Sequence, residues 1–228
     1  MAKFPEPPDA AATLARIAPL TLTLDRGTRL ARIYFMGGEH PGRWNGFRHF
    51  GPTASRWDHH LRDARGRPVT QSRGVLYAAA GPEAIPTCLA EVFPQRRIVE
   101  LQVGRPALVG FELAAPLTLL DLTGRFPTRL GASTAMHSGP RPKARRWSRA
   151  LYDAYPTVQG LLYRSSTYGN APAVALYERA IDALPAEPHL HRLLDDPALS
   201  RTIRIAAAEC GYQVTSAPLE RPRPRPAR

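Results

Sequence analysis

The twenty residues GVLYAAAGPEAIPTCLAEVF, at positions 74–93, decide the fold prediction, because two structural patterns meet in them. The run GVLYAA at 74–79 is short and continuously apolar, which is typical of a buried strand. Pro82 suits the first turn of a helix, and the pattern predicts a helix over residues 83–93. A strand followed at once by a helix is therefore the frame around which the other elements are placed.

Strand patterns and helix patterns occur on both sides of this strand–helix frame in the sequence. Proline and glycine positions predict a last helix between Asp196 as its N-cap and Gly211 as its C-terminal stop. Residues 37–73 show little apolar periodicity, and 173–184 fits a strand or a helix equally well. The mixture predicts an α+β fold whose central sheet is mixed or largely antiparallel and is flanked by helices. We further expect strands at 31–36, 97–103, 107–113, 117–122 and 160–166, and helices at 10–17 and 143–154.

Composition excludes several classes of protein. Of 228 residues, 43% are hydrophobic and 22% charged, which rules out a wholly disordered chain. No run approaches the roughly 20 apolar residues of a membrane span, and the N-terminal stretch lacks the apolar core of a secretory signal. Two cysteines are too few for a disulfide framework or a cysteine-based zinc site. We expect a cytoplasmic protein with reduced thiols and no metal.

The charge is strongly basic and unevenly distributed. Thirty-one Lys and Arg residues against 19 Asp and Glu give a formal net charge of +12. Much of the excess lies in RPKARRWSR at 141–149 and in the terminal RPRPRPAR at 221–228, which we expect to be extended and solvated. Such a balance favours anionic partners and keeps a basic nucleic-acid-binding module open as an alternative function. A genome rich in GC codons would also produce many arginines.

Four groups of segments, taken in order, resemble the RES domain family over roughly residues 29–185. The resemblance implies an ADP-ribosyltransferase-like fold, with an N-terminal extension at 1–28, an NAD-binding catalytic domain at 29–215 and a disordered Arg-Pro tail at 216–228. The segments are ARIYF at 31–35; FGPTASRWDHH at 50–60; GVLYAA at 74–79 with CLAEVF at 88–93; and LLDLTG at 119–124 with ARRWSRALYDAYPTVQGLLYRSS at 144–166 and the ALYERA run behind it.

The same resemblance implies a function. RES proteins are usually toxins of type II toxin–antitoxin systems that cleave the nicotinamide–ribose bond of NAD+, by hydrolysis or by phosphorolysis with inorganic phosphate, and so arrest growth. A few transfer ADP-ribose to a specific protein, and this mono-ADP-ribosyltransferase activity is the alternative within enzymes. The implied partner is a cognate Xre-like antitoxin that blocks the cleft. Contact with DNA is then only indirect, through the antitoxin, in a complex built on a dimer.

Five residues match the family's functional positions. The resemblance implies Glu91, Arg32 and Ser165 as catalytic residues, and Arg32, Arg56, Tyr77 and Ser165 as the residues that bind NAD+. The types suit the chemistry, because arginines grip phosphates, a tyrosine stacks on a flat ring, and a carboxylate stabilises positive charge on the ribose. Such a group needs no metal. Tyr77 fits the role of an ordinary core tyrosine equally well.

Two of these assignments have a competitor in the sequence. GRWN at 42–45 is a near copy of SRWD at 55–58, so Arg43 competes with Arg56. Ser166 competes with Ser165, because alternation along a strand exposes only one of two neighbours to a cleft. Glu91 is singled out because it interrupts the apolar helix face CLAEVF, where burial of an unpaired carboxylate would be costly.

Overall fold

The computed structural model describes residues 4–8 and 11–216 of the chain. These described residues form five α-helices and eleven strands. The strands are Thr21–Leu24 (β1), Arg29–Phe35 (β2), Arg48–Gly51 (β3), Val69–Ala80 (β4), Ile98–Glu100 (β5), Pro106–Glu112 (β6), Leu117–Asp121 (β7), Gly160–Arg164 (β8), Pro172–Tyr177 (β9), Leu190–Leu193 (β10) and Gln213–Thr215 (β11). The α-helices are Ala11–Ala15 (α1), Ala84–Val92 (α2), Phe126–Arg129 (α3), Arg141–Ala154 (α4) and Ser200–Glu209 (α5), and short 3-10 helices cover Thr134–Met136, Glu178–Ala183 and Pro197–Leu199.

Nine strands form the main sheet, in the order β1-β7-β8-β9-β4-β2-β6-β10, with β3 paired to β4 beside this path. All pairs are antiparallel except β7 with β8. The short strands β5 and β11 pair in parallel as a separate two-stranded sheet. The predicted α+β class with a mixed, largely antiparallel sheet is therefore confirmed.

The sheet splits along one edge of β4. Strand β3 pairs with this edge as far as Val75, and β2 pairs with it only at Ala79 and Ala80. Residues 76–78 between them have no partner strand on this edge within the part of the chain that the structure describes. Beyond Ala31, β2 turns away from β4 while keeping its full pairing with β6. Tyr77 and Arg32 therefore flank the opening.

Helices cover one face of the sheet in two groups. Trp147 and Leu151 of α4 pack on the β8–β9 half, and Leu89 of α2 packs with Ile203 of α5 on the β2–β6 half. The opposite face of the sheet is covered, around Phe111, by the 3-10 helix Glu178–Ala183 and by residues 42–47. The helix α2 thus crosses the sheet next to the split, and its apolar side packs on the sheet.

Most predicted elements are present, with shifted ends. The predicted helices at 83–93 and 143–154 are confirmed as α2 and α4, and Asp196 caps its segment by accepting a hydrogen bond from the Ala198 N–H. The predicted seven-residue strand at 97–103 is wrong in length, because the chain turns after Glu100. Residues 173–184 divide into a strand and a 3-10 helix. The Arg-Pro tail lies outside the described residues, apart from residue 216.

The N-terminal segment, which we expected to be an extension, packs onto the domain over its described residues. Phe4 is buried, and its carbonyl accepts a hydrogen bond from Lys143 Nζ at 2.6 Å. Leu14 of α1 is fully buried, and its carbonyl accepts a hydrogen bond from the Tyr155 hydroxyl at 2.8 Å. Because β1 also pairs with β7, this segment contributes to both the core and the sheet.

A histidine without hydrogen-bond partners lies inside the domain between β4, β9 and α4. His59 is fully buried, and neither of its ring nitrogens has a partner among the described residues. Its ring stacks on Tyr152 at 4.3 Å between centroids and meets Tyr177 edge-on at 4.7 Å. Burial, with the charges of His60 and Arg73, lowers the pKa of His59 to about 3. The folded protein therefore holds this imidazole neutral.

We expect His59→Phe to weaken the dependence of stability on pH. In the unfolded chain the imidazole takes up a proton near pH 6.5, whereas the folded state resists protonation, so stability falls as the pH drops below that value. The wild type should lose about 2 kcal/mol more than His59→Phe between pH 7 and pH 5. Urea unfolding at both pH values measures this difference, with the exposed His40→Phe as a control. A variant that keeps the full pH dependence would refute the explanation.

Candidate active site

A short hydrogen bond joins two of the predicted residues. Ser165 Oγ donates to Glu91 Oε1 at 2.6 Å, although 74 positions separate them in the sequence. Glu91 lies in the last turn of α2, and Ser165 directly follows β8. Glu91 is exposed, so the expectation that it lies on the apolar, buried face of the helix is wrong. The buried side of α2 ends at Ala90, and Glu91 turns its carboxylate towards the end of β8 instead.

The hydroxyl of Ser165 is oriented by its own turn. Ser165 is fully buried, and its Oγ accepts hydrogen bonds from the backbone N–H groups of Thr167 at 3.3 Å and Tyr168 at 3.2 Å. Its proton is then available to Glu91. Ser166 is exposed and is not placed against Glu91. Of the two competing serines, Ser165 is the one that positions the carboxylate.

We expect Ser165→Ala to lower the melting temperature, because one hydrogen bond to a charged group and two to backbone N–H groups are lost together. Ser166→Ala should leave it unchanged. Thermal unfolding of both variants provides the comparison. Equal shifts for the two substitutions would show that the hydrogen bonds of Ser165 do not stabilise this part of the fold.

Two tyrosines lie beside Glu91 on the same sheet face. Tyr77 of β4 and Tyr163 of β8 lie on either side of β9, opposite Ala175 and Ala173 respectively. Burial, followed by the charge of Glu91, raises the pKa of Tyr163 well above its usual value. Burial also raises the pKa of Tyr77. Both rings therefore stay uncharged; that of Tyr77 is half-buried, whereas that of Tyr163 is buried in the core.

Tyr163 was not among the predicted site residues. The signal that identifies it is its position two residues before Ser165, because alternation along a strand places both on one face. Trp57 packs on the Tyr163 ring at 5.5 Å between centroids, which fixes the orientation of that ring.

Arg56 brings a positive charge to the same place. Its Nη1 donates to the Gly139 carbonyl at 2.6 Å, and its charge interacts with those of Glu91 and Arg141. Burial, reinforced by Arg141, lowers its pKa. Arg43 is exposed on the 42–47 loop and has no such link to Glu91. Of the two near copies in the sequence, Arg56 is the one whose charge interacts with Glu91.

A buried carboxylate holds the loop that carries Arg56. Asp58 accepts hydrogen bonds from His60 Nδ1 at 2.6 Å, from the Thr53 N–H at 2.6 Å and from Arg48 Nη2 at 2.9 Å. Burial alone would raise the pKa of Asp58, but these hydrogen bonds and the charge of Arg48 lower it. Asp58 therefore remains ionised and fixes the backbone next to Arg56.

Arg32 lies at the split of the sheet but on its other face. It alternates with Leu30 and Tyr34 towards the side that is closed by residues 42–47. Its Nη1 donates to the Trp44 carbonyl at 2.7 Å, while its buried Nε has no partner among the described residues. Burial lowers its pKa to about 10. No hydrogen bond or ion pair within the described chain joins Arg32 to Glu91 or Ser165.

Cys88 lies between Arg32 and Glu91. Its Sγ donates to the Ala31 carbonyl at 3.3 Å, one residue before Arg32. Burial raises the pKa of this thiol to about 12, against the opposing charge of Arg32. The protonated thiol is a packing residue rather than a nucleophile.

Other features of the described residues do not compete with this site. They contain no group of three or more His, Cys, Asp and Glu side chains arranged to hold a metal ion. None of the helices formed by residues 4–8 and 11–216 has the length and apolar character to cross a membrane. Two surface hollows share His189 in their walls, and neither includes any of the five predicted residues. The site beside Glu91 is therefore identified by the chemistry of its side chains and not by the depth of a surface hollow.

Comparisons with known proteins bear on the fold and the family of the chain. None of the curated proteins matches the chain. Among solved structures, the chain is similar to one from the crystal structure of the M. tuberculosis MbcT–MbcA toxin–antitoxin complex. The two share 15% sequence identity with a TM-score of 0.55, and the match covers 87% of this chain and 98% of the other. At this identity the likeness establishes that the two chains share a fold.

A comparison with protein families matches residues 28–197 to the RES domain, which is most of the chain. That range includes all five predicted residues and the split in the sheet. The chain belongs to the RES domain family.

Proposed function

We propose that this protein is the toxin of a toxin–antitoxin pair and that it cleaves the nicotinamide–ribose bond of NAD+. The observation that carries the proposal is the Ser165–Glu91 hydrogen bond of 2.6 Å, with the charge of Arg56 and the rings of Tyr77 and Tyr163 beside it. An anion-binding group, flat apolar faces and a carboxylate are what a dinucleotide with a cationic ring requires.

The reaction needs charge stabilisation more than an activated nucleophile. When the bond between C1′ and the ring nitrogen breaks, its electron pair stays on nicotinamide, which leaves as a neutral molecule. Positive charge then develops on the ribose. The Glu91 carboxylate, oriented by Ser165, stabilises that charge and accepts a hydrogen bond from a ribose hydroxyl. Arg56 binds the diphosphate and thereby fixes C1′ beside Glu91.

An acceptor oxygen completes the reaction by forming a bond to C1′. With water the product is ADP-ribose, and one proton is released to the solvent. With inorganic phosphate the product is ADP-ribose 1″-phosphate. With a side chain of another protein the product is an ADP-ribosylated target. All three routes share the same first half, so the site residues described above serve each of them.

The partner side of the proposal rests on the family and on the structural neighbour. The similar chain was solved in a toxin–antitoxin complex. We propose that this protein, acting in the cytoplasm, is likewise held inactive by a cognate antitoxin of the Xre-like type, which covers the cleft next to Glu91. A complex built on a dimer belongs to the same proposal. Expression without the antitoxin should deplete cellular NAD+ and stop growth.

Product analysis tests the activity directly. The purified chain is incubated with NAD+, with and without phosphate, and the products are separated by chromatography and identified by mass. Release of nicotinamide supports the proposal, and the second product names the acceptor. Intact NAD+ after prolonged incubation under both conditions would refute it.

A further inference from the structure

A second basic surface lies along α4, away from Glu91. Arg145 and Arg149 are one turn apart, so they share one side of this helix with Asp153. Asp153 Oδ1 forms an ion pair with Arg73 Nη2 of β4 at 2.7 Å, which fixes that side of α4 against the strand. Arg62, in the turn before β4, is near enough for its charge to act on Arg149. We call the surface formed by Arg62, Arg73, Arg145, Arg146 and Arg149 the α4 basic face.

The carboxylates near this face are already engaged. Asp153 pairs with Arg73, and Glu6 pairs with Arg146 at 2.6 Å. Within the described residues, no carboxylate forms an ion pair with Arg62, Arg145 or Arg149. The face therefore carries at least three positive charges that no carboxylate of residues 4–8 and 11–216 pairs with.

Arg149 lies at the centre of the cluster. It is partly buried, and its pKa is lowered first by that burial and then by the charges of Arg146, Arg145, Arg62 and Arg73. Gathering like charges around a partly buried guanidinium is unfavourable for folding. A bound polyanion would reverse this cost.

The chemistry of the face favours phosphates over an acidic protein. Guanidinium groups match phosphate oxygens in pairs, and two on adjacent helical turns are about 6 Å apart at their Cβ atoms, close enough to contact neighbouring phosphates of one strand. Protein interfaces depend on buried apolar anchors, and Leu61 is the one exposed large apolar residue adjoining this face in sequence.

We propose that the α4 basic face binds the phosphate backbone of duplex nucleic acid directly and without sequence preference. This departs from the expectation that DNA is contacted only through an antitoxin. The contact goes beyond the proposed function and does not depend on it, because none of the five arginines belongs to the site beside Glu91.

Fluorescence anisotropy with a labelled DNA duplex of about 24 base pairs tests this proposal on the full chain over a salt series. Arg145→Ala/Arg149→Ala should weaken binding at least tenfold at low salt and reduce the salt slope by about two, since two phosphate contacts are lost. The matched control is Arg201→Ala/Arg204→Ala, an equal charge change on exposed positions of α5. It should alter Kd by less than about twofold. The wild type and both double variants keep the Arg-Pro tail, so the tail does not account for a difference between them.

Three results would overturn the proposal. One is an equal loss of binding in both double variants, which would make net charge the cause. Another is the absence of duplex binding at low salt. The third is a poly-glutamate peptide that binds the face more tightly than the duplex, which would assign it to an acidic protein. Arg62→Glu, in an exposed turn, provides an independent variant that should also weaken binding should the double variant unfold. Nicotinamide release by these variants should stay at the wild-type rate.

Discussion

Glu91→Gln should reduce cleavage of NAD+ by at least about 1,000-fold while the protein remains folded and still binds NAD+. The substitution keeps the size of the side chain and an oxygen that can accept the hydrogen bond from Ser165. It removes only the negative charge that stabilises the developing cation on the ribose. Because Glu91 is exposed, no core contact is lost. The measurement is the rate of nicotinamide release under single-turnover conditions.

Glu83→Gln is the matched control for this variant. Glu83 precedes the same helix, is exposed, and makes no side-chain capping hydrogen bond. It should retain the wild-type rate. Retention of more than a tenth of the activity by Glu91→Gln would show that its charge does not drive the reaction.

Arg56→Ala should lower kcat/KM by about 100-fold, mainly through KM. A charge-assisted hydrogen bond to phosphate contributes about 1.5–3 kcal/mol, and the upper value corresponds to a factor above 100. Steady-state kinetics with NAD+ measures the loss. Arg56→Lys should recover only part of it, because a lysine keeps the charge and loses the planar fork.

Arg43→Ala separates this role from a general effect of charge. Arg43 occupies the equivalent position in the near copy GRWN, but it is exposed and forms no ion pair with Glu91. We expect its kcat/KM to stay within about twofold of the wild type. A loss as large as that of Arg56→Ala would show that the wrong arginine has been assigned to the phosphates.

Local patterns predicted the elements that hold the site. The apolar strand and the helix within 74–93 are present as the end of β4 and as α2. The same patterns could not show that β4 begins at Val69, because the next four residues are polar and the start of the strand is defined by its pairing with β3. The three- and four-residue strands β1, β3, β10 and β11 were missed for a related reason, since partner strands rather than intrinsic preference determine them.

The sequence offered candidate site residues one by one, but it did not predict their geometry. Glu91 was selected because a buried carboxylate is costly, yet its carboxylate is exposed and is held by Ser165. Alternation along β2 places Arg32 on one of two faces, but nothing in ARIYF tells which face borders the split. The choice between Arg56 and Arg43 likewise depended on the fold of residues 42–60. These features depend on tertiary packing, so no local pattern in a single sequence predicts them.

The location of bound NAD+ is the measurement that tests the central claim most directly. A crystal structure of Glu91→Gln soaked with NAD+ should place the diphosphate on Arg56 and C1′ of the nicotinamide ribose within about 3.5 Å of the side-chain amide at position 91. NAD+ bound instead in the hollows next to His189, or absent at concentrations that saturate the wild type, would contradict the account.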